Sequence, residues 1–197
     1  MIPVLRTTRF ILRQPQLGDD EPIARYLNDF EVAGNLARVP FPYALSDARA
    51  WLRTRLPNLP VEETCFTIAL PGTGLAGHVG FHRGAQGPVV GYWLGRPFWG
   101  QGIMTEAVTA AIAWFFEASR AETLYSGVFH FNAASLAIQS KLGFIETGRS
   151  RLLCLARDAE VEHIDTKLTR ERFRQKVDAG LADGDRAQMN TWKAKDR

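Results

Sequence analysis

The chain has 197 residues, of which 46% are hydrophobic and 23% charged, and its formal net charge is +3. These values are typical of one globular domain with its own core, and they exclude a collagen-like or largely disordered chain. No apolar run approaches the ~20 residues that span a bilayer, and the start of the chain lacks the apolar centre of a secretory signal, so we expect a cytoplasmic protein without a membrane partner.

The first part of the chain predicts one strand and two helices. Residues 8–14 predict the strand, and Asp20 is the expected N-cap of the first helix. A second helix is predicted over residues 46–56, with Ser46 as its N-cap. Its expected inward-facing residues are Trp51, Leu52 and Leu56. Residues 34–43 lie between the helices and predict an irregular, apolar segment.

Three apolar segments separated by turns follow. Residues 65–70 and 76–82 predict a strand and its return strand, and residues 89–94 predict a fourth strand. Cys65 lies in the first of these segments, and Cys154 lies in a later apolar stretch. This placement favours buried thiols in a reducing compartment over a disulfide framework.

The most informative segment is Trp99-Gly100-Gln101-Gly102-Ile103-Met104-Thr105-Glu106-Ala107. It follows the strand at 89–94 and leads into residues 105–116, whose apolar positions have a helical period. The glycines allow a sharp turn and the close approach of a ligand, and the first amides of a helix have no intrahelical partners. Together with the helix dipole they form an anion site, worth about 0.3–2 kcal/mol per charge contact, which indicates a phosphate or pyrophosphate.

This phosphate interpretation has a plain alternative. The segment lacks the Gly-Lys-Ser/Thr of a Walker loop, and Thr105 stands where a dinucleotide fingerprint needs glycine or alanine. On spacing alone, a strand-to-helix turn that merely uses two glycines explains the segment equally well.

A second unit of strand, helix and strand comes later in the chain. Residues 123–129 predict a strand, Asn132 opens a helix that ends at Leu142, and Gly143 is the expected glycine at its C-terminus. Two late strands are predicted near residues 146–155 and 160–168. The complete pattern predicts a mixed sheet flanked by helices.

The end of the chain differs in composition from the rest. Residues 170–197 contain eight basic and five acidic residues, so the whole net charge of +3 lies there. A basic tail can contact nucleic acid, but the mixed signs and two glycines favour a solvated helix or frayed end, and we expect no nucleic-acid partner. We therefore predict a domain at 1–170 and a charged C-terminal tail or helix at 171–197.

Taken together, these motifs resemble the GNAT superfamily of acyl-coenzyme A N-acyltransferases, and within it the RimJ/RimL-like branch of ribosomal-protein N-terminal acetyltransferases. The matching segments are 8–13, 91–94, 99–102 with 105–107, 132–135 and 141–144. The combination is specific although no single motif is. One departure is Pro97, which stands where the family loop often has arginine or glutamine. Because backbone amides bind the anion, we expect little loss from this change.

The resemblance implies an α/β fold and acetyl-CoA as the acyl donor. The central, mostly antiparallel sheet would be splayed between its parallel fourth and fifth strands, at 89–94 and 123–129, to admit the pantetheine arm. The implied coenzyme-binding residues are Leu94, Trp99, Gly100, Gln101, Gly102, Ile103, Met104 and Asn132. The backbone N–H near Leu94 would face the thioester oxygen, and Asn132 would bond the arm, cap its helix, or do both. The cysteines and histidines have no metal-ligand spacing, so we expect no metal.

The resemblance also implies catalytic roles. Ser135 matches the branch's general acid, which protonates the leaving thiolate, although a first-turn serine bonded to backbone is an equal alternative. The branch can use a carboxylate as base on the next strand, but residues 149–157 contain none. His130, near the expected opening, is our first choice for the base, and His82 is another candidate. His78 lies on the same strand face as His82, and either is a core or a surface residue. His163 lies in a late strand, and its position alone does not single it out. A solvent-relayed proton without a dedicated base is the alternative.

The sequence therefore predicts an N-acetyltransferase that moves an acetyl group from acetyl-CoA to a primary amine by direct attack. The acceptor is a protein N-terminal α-amine, as the branch suggests, or a small-molecule amine. The residues that select it are expected in regions 34–43 and 53–63. The alternative is a degenerate family member that binds coenzyme A as a sensing or docking module without turnover. A homodimer is a further arrangement that the sequence leaves open.

Overall fold

One eight-stranded sheet forms the centre of the computed structural model, which describes residues 2–55 and 59–182. The strands are β1 (Leu5–Arg6), β2 (Ile11–Arg13), β3 (Cys65–Leu70), β4 (Gly74–Gly84), β5 (Gly87–Leu94), β6 (Thr123–Phe129), β7 (Ile145–Cys154) and β8 (Ala159–Thr169). Their spatial order is β1-β2-β3-β4-β5-β6-β8-β7. Neighbours pair antiparallel except β5 and β6, which are parallel. The predicted mixed α/β sheet is therefore confirmed.

Helices cover both faces of this sheet. They are α1 (Asp20–Leu27), α2 (Phe30–Ala33), α3 (Leu45–Arg55), α4 (Ile103–Ala118), α5 (Ala133–Leu142) and α6 (Arg170–Ala182). The first three pack on one face, around Ile23 and Leu52. The last three pack on the other face, where the rings of Phe81 and Phe115 stack with centroids 4.5 Å apart. Each such fully buried aromatic side chain contributes about 1.5–3 kcal/mol through removal of apolar surface from water.

Two segments, one near the N-terminus and one after the turn at Gly100 and Gly102 (the glycine turn), have bounds that differ from the predicted ones. The predicted strand at 8–14 is shortened to β2, because its first residues lie in a turn in which the N–H of Thr7 bonds the carbonyl of Phe10 (2.9 Å). A further short strand, β1, precedes that turn and was not predicted. The helix predicted from residue 105 begins at Ile103, since Gly102 is itself the N-cap. β6 and the end of α5 lie where they were predicted.

Two predicted N-caps are wrong. Asp20 is the first residue of α1, whose N-cap is Asp19. Ser46 lies inside α3, and the carboxylate of Asp47 instead accepts a bond from the backbone N–H of Ala44 (2.8 Å). Asp47 thus has the role of the glutamate or glutamine in a capping box, whose side chain accepts from the backbone N–H of the residue before the helix. Leu56, predicted to face inward, lies outside the described residues.

The charged C-terminal segment begins as a packed helix. Phe173 of α6 is 5% exposed, and its ring centroid lies 5.8 Å from that of Phe116. The guanidinium of Arg172 donates a hydrogen bond to the carbonyl of Gly143 (2.6 Å). Gly180 lies within α6, so it does not break the helix as the composition suggested. Packing thus continues past residue 170, while residues 183–197 of the predicted tail lie outside the described part of the chain.

Candidate active site

The sheet opens between β5 and β6. These parallel strands share one pair of facing residues, Val89 with Tyr125. Further along, β5 stays paired to β4 as far as Leu94, and β6 stays paired to β8 as far as Phe129. Because each strand follows its other neighbour, the two separate. The predicted splay between the parallel strands at 89–94 and 123–129 is confirmed.

A cleft of about 1550 Å³ passes through this opening. Successive side chains of β5 point to opposite faces of the sheet. Tyr92 accordingly packs with the core under α4, and Trp93 packs with the core between α1 and α3. Both line the cleft. Two reactants can therefore approach each other from opposite faces of the sheet.

The α4 side of the cleft is formed by the glycine turn. Gly100 and Gly102 have φ values of 73° and 71°, in the left-handed region that favours glycine. Gly102 lacks a side chain to cap α4, and the first helical backbone bond is donated by Glu106, so the amides at 103–105 have no helical partner. Within the described residues, no atom lies within 4 Å of the position of a Cβ on Gly100. The turn is thus an open, uncapped helix N-terminus, which suits an anion.

Arg9 fixes this turn from the N-terminal region. Its Nε lies 2.6 Å from a carboxylate oxygen of Glu106, and its Nη1 donates a bond to the carbonyl of Gln101 (2.7 Å). Glu106 stands in the first turn of α4, where its negative charge would oppose an incoming anion. The ion pair with Arg9 offsets that charge and leaves the helix N-terminus positive.

Trp99 closes the turn onto the end of β5. Its indole N–H donates to the carbonyl of Leu94 (2.7 Å), and the N–H of Gly95 bonds Ala76 on β4 (2.8 Å). Because backbone groups alternate in direction along an antiparallel strand, the N–H groups of Tyr92 and Leu94 point toward the opening. The end of β5 thus offers backbone donors to the opening between the strands.

The start of α5 forms the facing wall. The side-chain oxygen of Asn132 accepts the N–H of Ser135 (3.1 Å), so Asn132 caps α5 and its amide NH₂ faces the cleft region. The hydroxyl of Tyr92 donates to the carbonyl of Ser135 (3.4 Å). Burial raises the pKa of Tyr92 to about 12, so this hydroxyl keeps its proton. The Ser135 side chain also lines the cleft, and with Gln139 it lies within hydrogen-bond reach of the Tyr92 hydroxyl.

Two of the predicted site residues do not line the cleft. The side-chain amide of Gln101 donates to the carbonyl of Pro97 (3.0 Å) and so braces the turn from outside. His130 is exposed, with its Nδ1 3.3 Å from the carbonyl of Glu162 and its ring against Phe131. The predicted residues that do line the cleft are Leu94, Trp99, Gly100, Gly102, Ile103, Met104, Asn132 and Ser135.

A histidine and an aspartate on β8 lie together in the cleft. Nδ1 of His163 is 2.8 Å from Oδ1 of Asp165, which also accepts the Ser150 hydroxyl (3.1 Å). Since an ionised carboxylate only accepts, Nδ1 carries the hydrogen and Nε2 is left as an acceptor. The ring lies against Gly127 of β6, where a Cβ would be only 2.7 Å from Nε2. Without a side chain at Gly127, the imidazole can lie beside the opening.

The sequence carries a partial signal for this pair. His163 and Asp165 are two residues apart on a predicted strand, and such residues share a face. The pairing of β8 with β6, in which Phe129 faces His163, determines which face of the sheet the two side chains share. The same pairing places that face beside the opening. That pairing joins segments more than thirty residues apart and cannot be read from the local pattern.

His78 is held in a structural network. Its Nε2 is 3.0 Å from the hydroxyl of Thr67, which donates to Asp19 (3.2 Å). Its ring also stacks on Trp51, with centroids 4.8 Å apart. Burial lowers the pKa of His78 to about 3, so the ring stays neutral and is unsuited to proton transfer near neutral pH.

The imidazole of His82, the other candidate for the base, is hydrogen-bonded to an arginine. Nη2 of Arg38 lies 2.5 Å from Nε2 of His82. Burial, together with the charges of Arg38 and Arg55, lowers the pKa of His82 to about 4. The neutral imidazole accepts this bond and has no free Nε2 lone pair for a substrate proton.

The described residues lack a metal-binding cluster and a membrane-spanning helix. They contain no group of three or more His, Cys, Asp or Glu side chains that could hold a metal ion. None of their helices is both long and apolar enough to cross a membrane. Both cysteines are buried free thiols, as predicted.

Comparison with known proteins shows a family model and two relatives that this chain matches. Residues 9–145 match the family model described as Acetyltransferase (GNAT) domain. The chain is 25% identical over 148 residues to the SPbeta prophage-derived N-acetyltransferase YokL of Bacillus subtilis (strain 168), covering 74% of this chain and 82% of YokL. It is 29% identical over 153 residues to N-acetyltransferase p20 of Bacillus licheniformis, covering 75% of this chain and 85% of p20.

A solved structure agrees with this match at the level of the fold. The ribosomal-protein-S5-alanine acetyltransferase from Vibrio fischeri superposes with a TM-score of 0.72 at 20% identity, covering 87% of this chain and 99% of that one. At this identity the likeness concerns the arrangement of the sheet and helices.

Proposed function

The chain belongs to the acetyltransferase (GNAT) family, and we propose that its acceptor is a primary amine that attacks the acetyl group directly. It is an acetyl-CoA-dependent acyltransferase that resembles the RimJ/RimL branch. The observation that carries the proposal is the cleft at the opening of the sheet, whose lining residues come from both faces and which therefore suits a donor and an acceptor that approach from opposite sides. The acceptor is a protein N-terminal α-amine or a small-molecule amine, and it enters from the α1–α3 side.

The glycine turn and the two strand ends are suited to hold the coenzyme. Backbone amides from Gly100 to Met104 would bind its pyrophosphate, and the uncapped start of α4 supports this role. The amide of Leu94 and the side chain of Asn132 would bond the pantetheine arm, with Trp99 and Gln101 bracing the turn. When bound, acetyl-CoA supplies the reactive thioester. The chain's own contribution is to orient it and to exclude water.

His163 is the proposed proton acceptor. Its Nε2 is free to take a proton from the amine nitrogen, while Asp165 holds the ring in the required tautomer. The exposed position of His130 outside the cleft lining favours His163 over it. As the new C–N bond forms and the C–S bond breaks, the hydroxyl of Ser135 donates a proton at the sulfur and recovers one from water.

A thiol-release assay tests the reaction class. Acetyl-CoA is mixed with peptides bearing free N-termini, polyamines or aminoglycosides, and both free thiol and the acetylated product are measured. We expect thiol release that depends on one of these amines, with an equal amount of N-acetyl product. Tight binding of acetyl-CoA without amine-dependent release would contradict the proposal and would support the sensing or docking module.

Replacement of Ser135 by alanine should lower turnover and leave coenzyme A affinity nearly unchanged. The leaving thiolate is a fairly weak base and needs only modest protonation. Loss of the Ser135 hydroxyl as general acid therefore lowers the rate by roughly 10²–10⁴-fold at most. Ser140→Ala, on the exposed side of the same helix, is the matched control and should have no effect. Calorimetry with coenzyme A and steady-state rates check both variants. Reduced affinity with unchanged turnover would make Ser135 a binding residue instead.

A further inference from the structure

Two arginines at the α1–α3 end of the cleft have no acidic partner in the part of the chain that the structure describes. Arg38 and Arg55 both line the cleft. Among the ion pairs of the described residues, neither has a carboxylate within 4.0 Å. Residues 56–58, which follow Arg55 in the chain, contain no Asp or Glu. Within residues 2–55 and 59–182, the two positive charges therefore face the cleft without a carboxylate to neutralise them.

The contact of Arg38 orients its charge but does not cancel it. Its guanidinium donates to Nε2 of His82 at 2.5 Å. Burial, assisted by the charges of Arg38 and Arg55, lowers the pKa of His82 to about 4, so the imidazole is neutral at physiological pH. The remaining N–H donors of Arg38, which is exposed, stay available to a ligand.

Arg55 carries a buried donor that lacks a partner. Its Nε is inaccessible to solvent and makes no hydrogen bond to the described residues. The guanidinium carbon lies 5.8 Å from the ring centroid of Trp51, which also lines the cleft. Buried charged donors are normally hydrogen-bonded, because leaving one unpaired is unfavourable. Since Nε itself is closed to solvent, an anionic ligand in the cleft would meet the charge of Arg55 at its terminal N–H groups.

Resting on the proposed acetyl transfer to an amine, we infer that Arg38 and Arg55 bind an anionic group, a carboxylate or a phosphate, carried by the acceptor itself. Guanidinium groups match both anions with paired donors. Among the described cleft-lining residues the acidic side chain is Asp165, which is already bonded to His163 and Ser150. The cleft thus favours amines that bear a negative charge and disfavours polycations such as polyamines and aminoglycosides.

Matched acceptor pairs test this inference. We expect kcat/KM for β-alanine to exceed that for β-alaninamide, or that for phosphoethanolamine to exceed that for ethanolamine, by about ten-fold or more, as a charge-assisted bond predicts. The pair with the larger ratio identifies the anion. Arg38→Gln and Arg55→Gln should remove this preference. Arg53→Gln is the control, because Arg53 is exposed on the same helix and lies outside the cleft lining. Equal kcat/KM within both pairs for the native enzyme would overturn the inference.

A binding measurement separates this inference from the proposed reaction. Inorganic phosphate is titrated calorimetrically into the protein saturated with coenzyme A, so that the glycine turn is already occupied. The native protein and Arg53→Gln should bind phosphate, Arg55→Lys should retain part of the affinity, and Arg55→Gln should lose it. Coenzyme A affinity and thermal unfolding of each variant show that it is folded. Phosphate binding without transfer to any amine would refute the reaction and leave the anion site standing. Amine transfer without phosphate binding or anionic preference would refute the anion site alone.

Discussion

A Gly102→Val variant should bind coenzyme A about ten-fold more weakly or worse, a loss of at least ~1.4 kcal/mol of binding free energy. Gly102 is the N-cap of α4 with φ at 71°, and its missing side chain leaves room for phosphate oxygens to approach the first amides of the helix. A valine would place two methyl groups in that space. It would also strain the left-handed backbone by roughly 1–2 kcal/mol.

A Gly72→Val variant separates backbone strain from the loss of space for the phosphate. Gly72 lies in the turn between β3 and β4 with φ at 72°, and no described atom lies within 4 Å of a Cβ placed there. It does not line the cleft. Both variants should therefore lose similar thermal stability, but only Gly102→Val should lose affinity for coenzyme A in calorimetry. Native affinity in a folded Gly102→Val protein would show that the turn does not bind the coenzyme.

The features that could be predicted from sequence are those that local chemistry determines. The glycine turn, the helix after it and the Asn132 cap each depend on a few consecutive residues with strong backbone preferences. The parallel arrangement of β5 and β6 and the splay between them were both predicted from the family likeness. The helix between the two strands agrees with the parallel arrangement, since a crossover of this length joins parallel strands, but no local pattern specifies the splay.

The features that were missed depend on contacts between distant segments. Arg38 and Arg55 come from the two regions expected to select the acceptor, yet their convergence on His82 requires the packing of α3 against the sheet. The packing of Phe173 on Phe116 was missed for a related reason. The charges of α6 dominate its composition, and one or two apolar residues are sufficient to anchor a short helix.

His163→Gln should lower turnover by roughly 10²–10⁴-fold while leaving coenzyme A affinity unchanged, because a general base contributes about this much and touches only the acceptor. Glutamine is close to histidine in size, so the fit against Gly127 should largely persist. Asp165→Asn should have a smaller effect, since the imidazole remains but loses the acceptor that fixes its tautomer. His130→Gln is the control and should change turnover less than about two-fold, within the range expected for a surface substitution.

The pH dependence identifies the base more sharply than the rate alone. A neutral imidazole accepts the proton and an imidazolium cannot, so turnover should rise with pH in the native enzyme, and this rise should vanish in His163→Gln. Neither buried histidine can produce such a rise between pH 6 and 8, because the pKa of His78 is lowered to about 3 and that of His82 to about 4. If the rise persists in His163→Gln and vanishes in His130→Gln, the exposed histidine is the base. If it persists in both variants, the titrating group is the acceptor amine, and proton transfer passes directly to solvent.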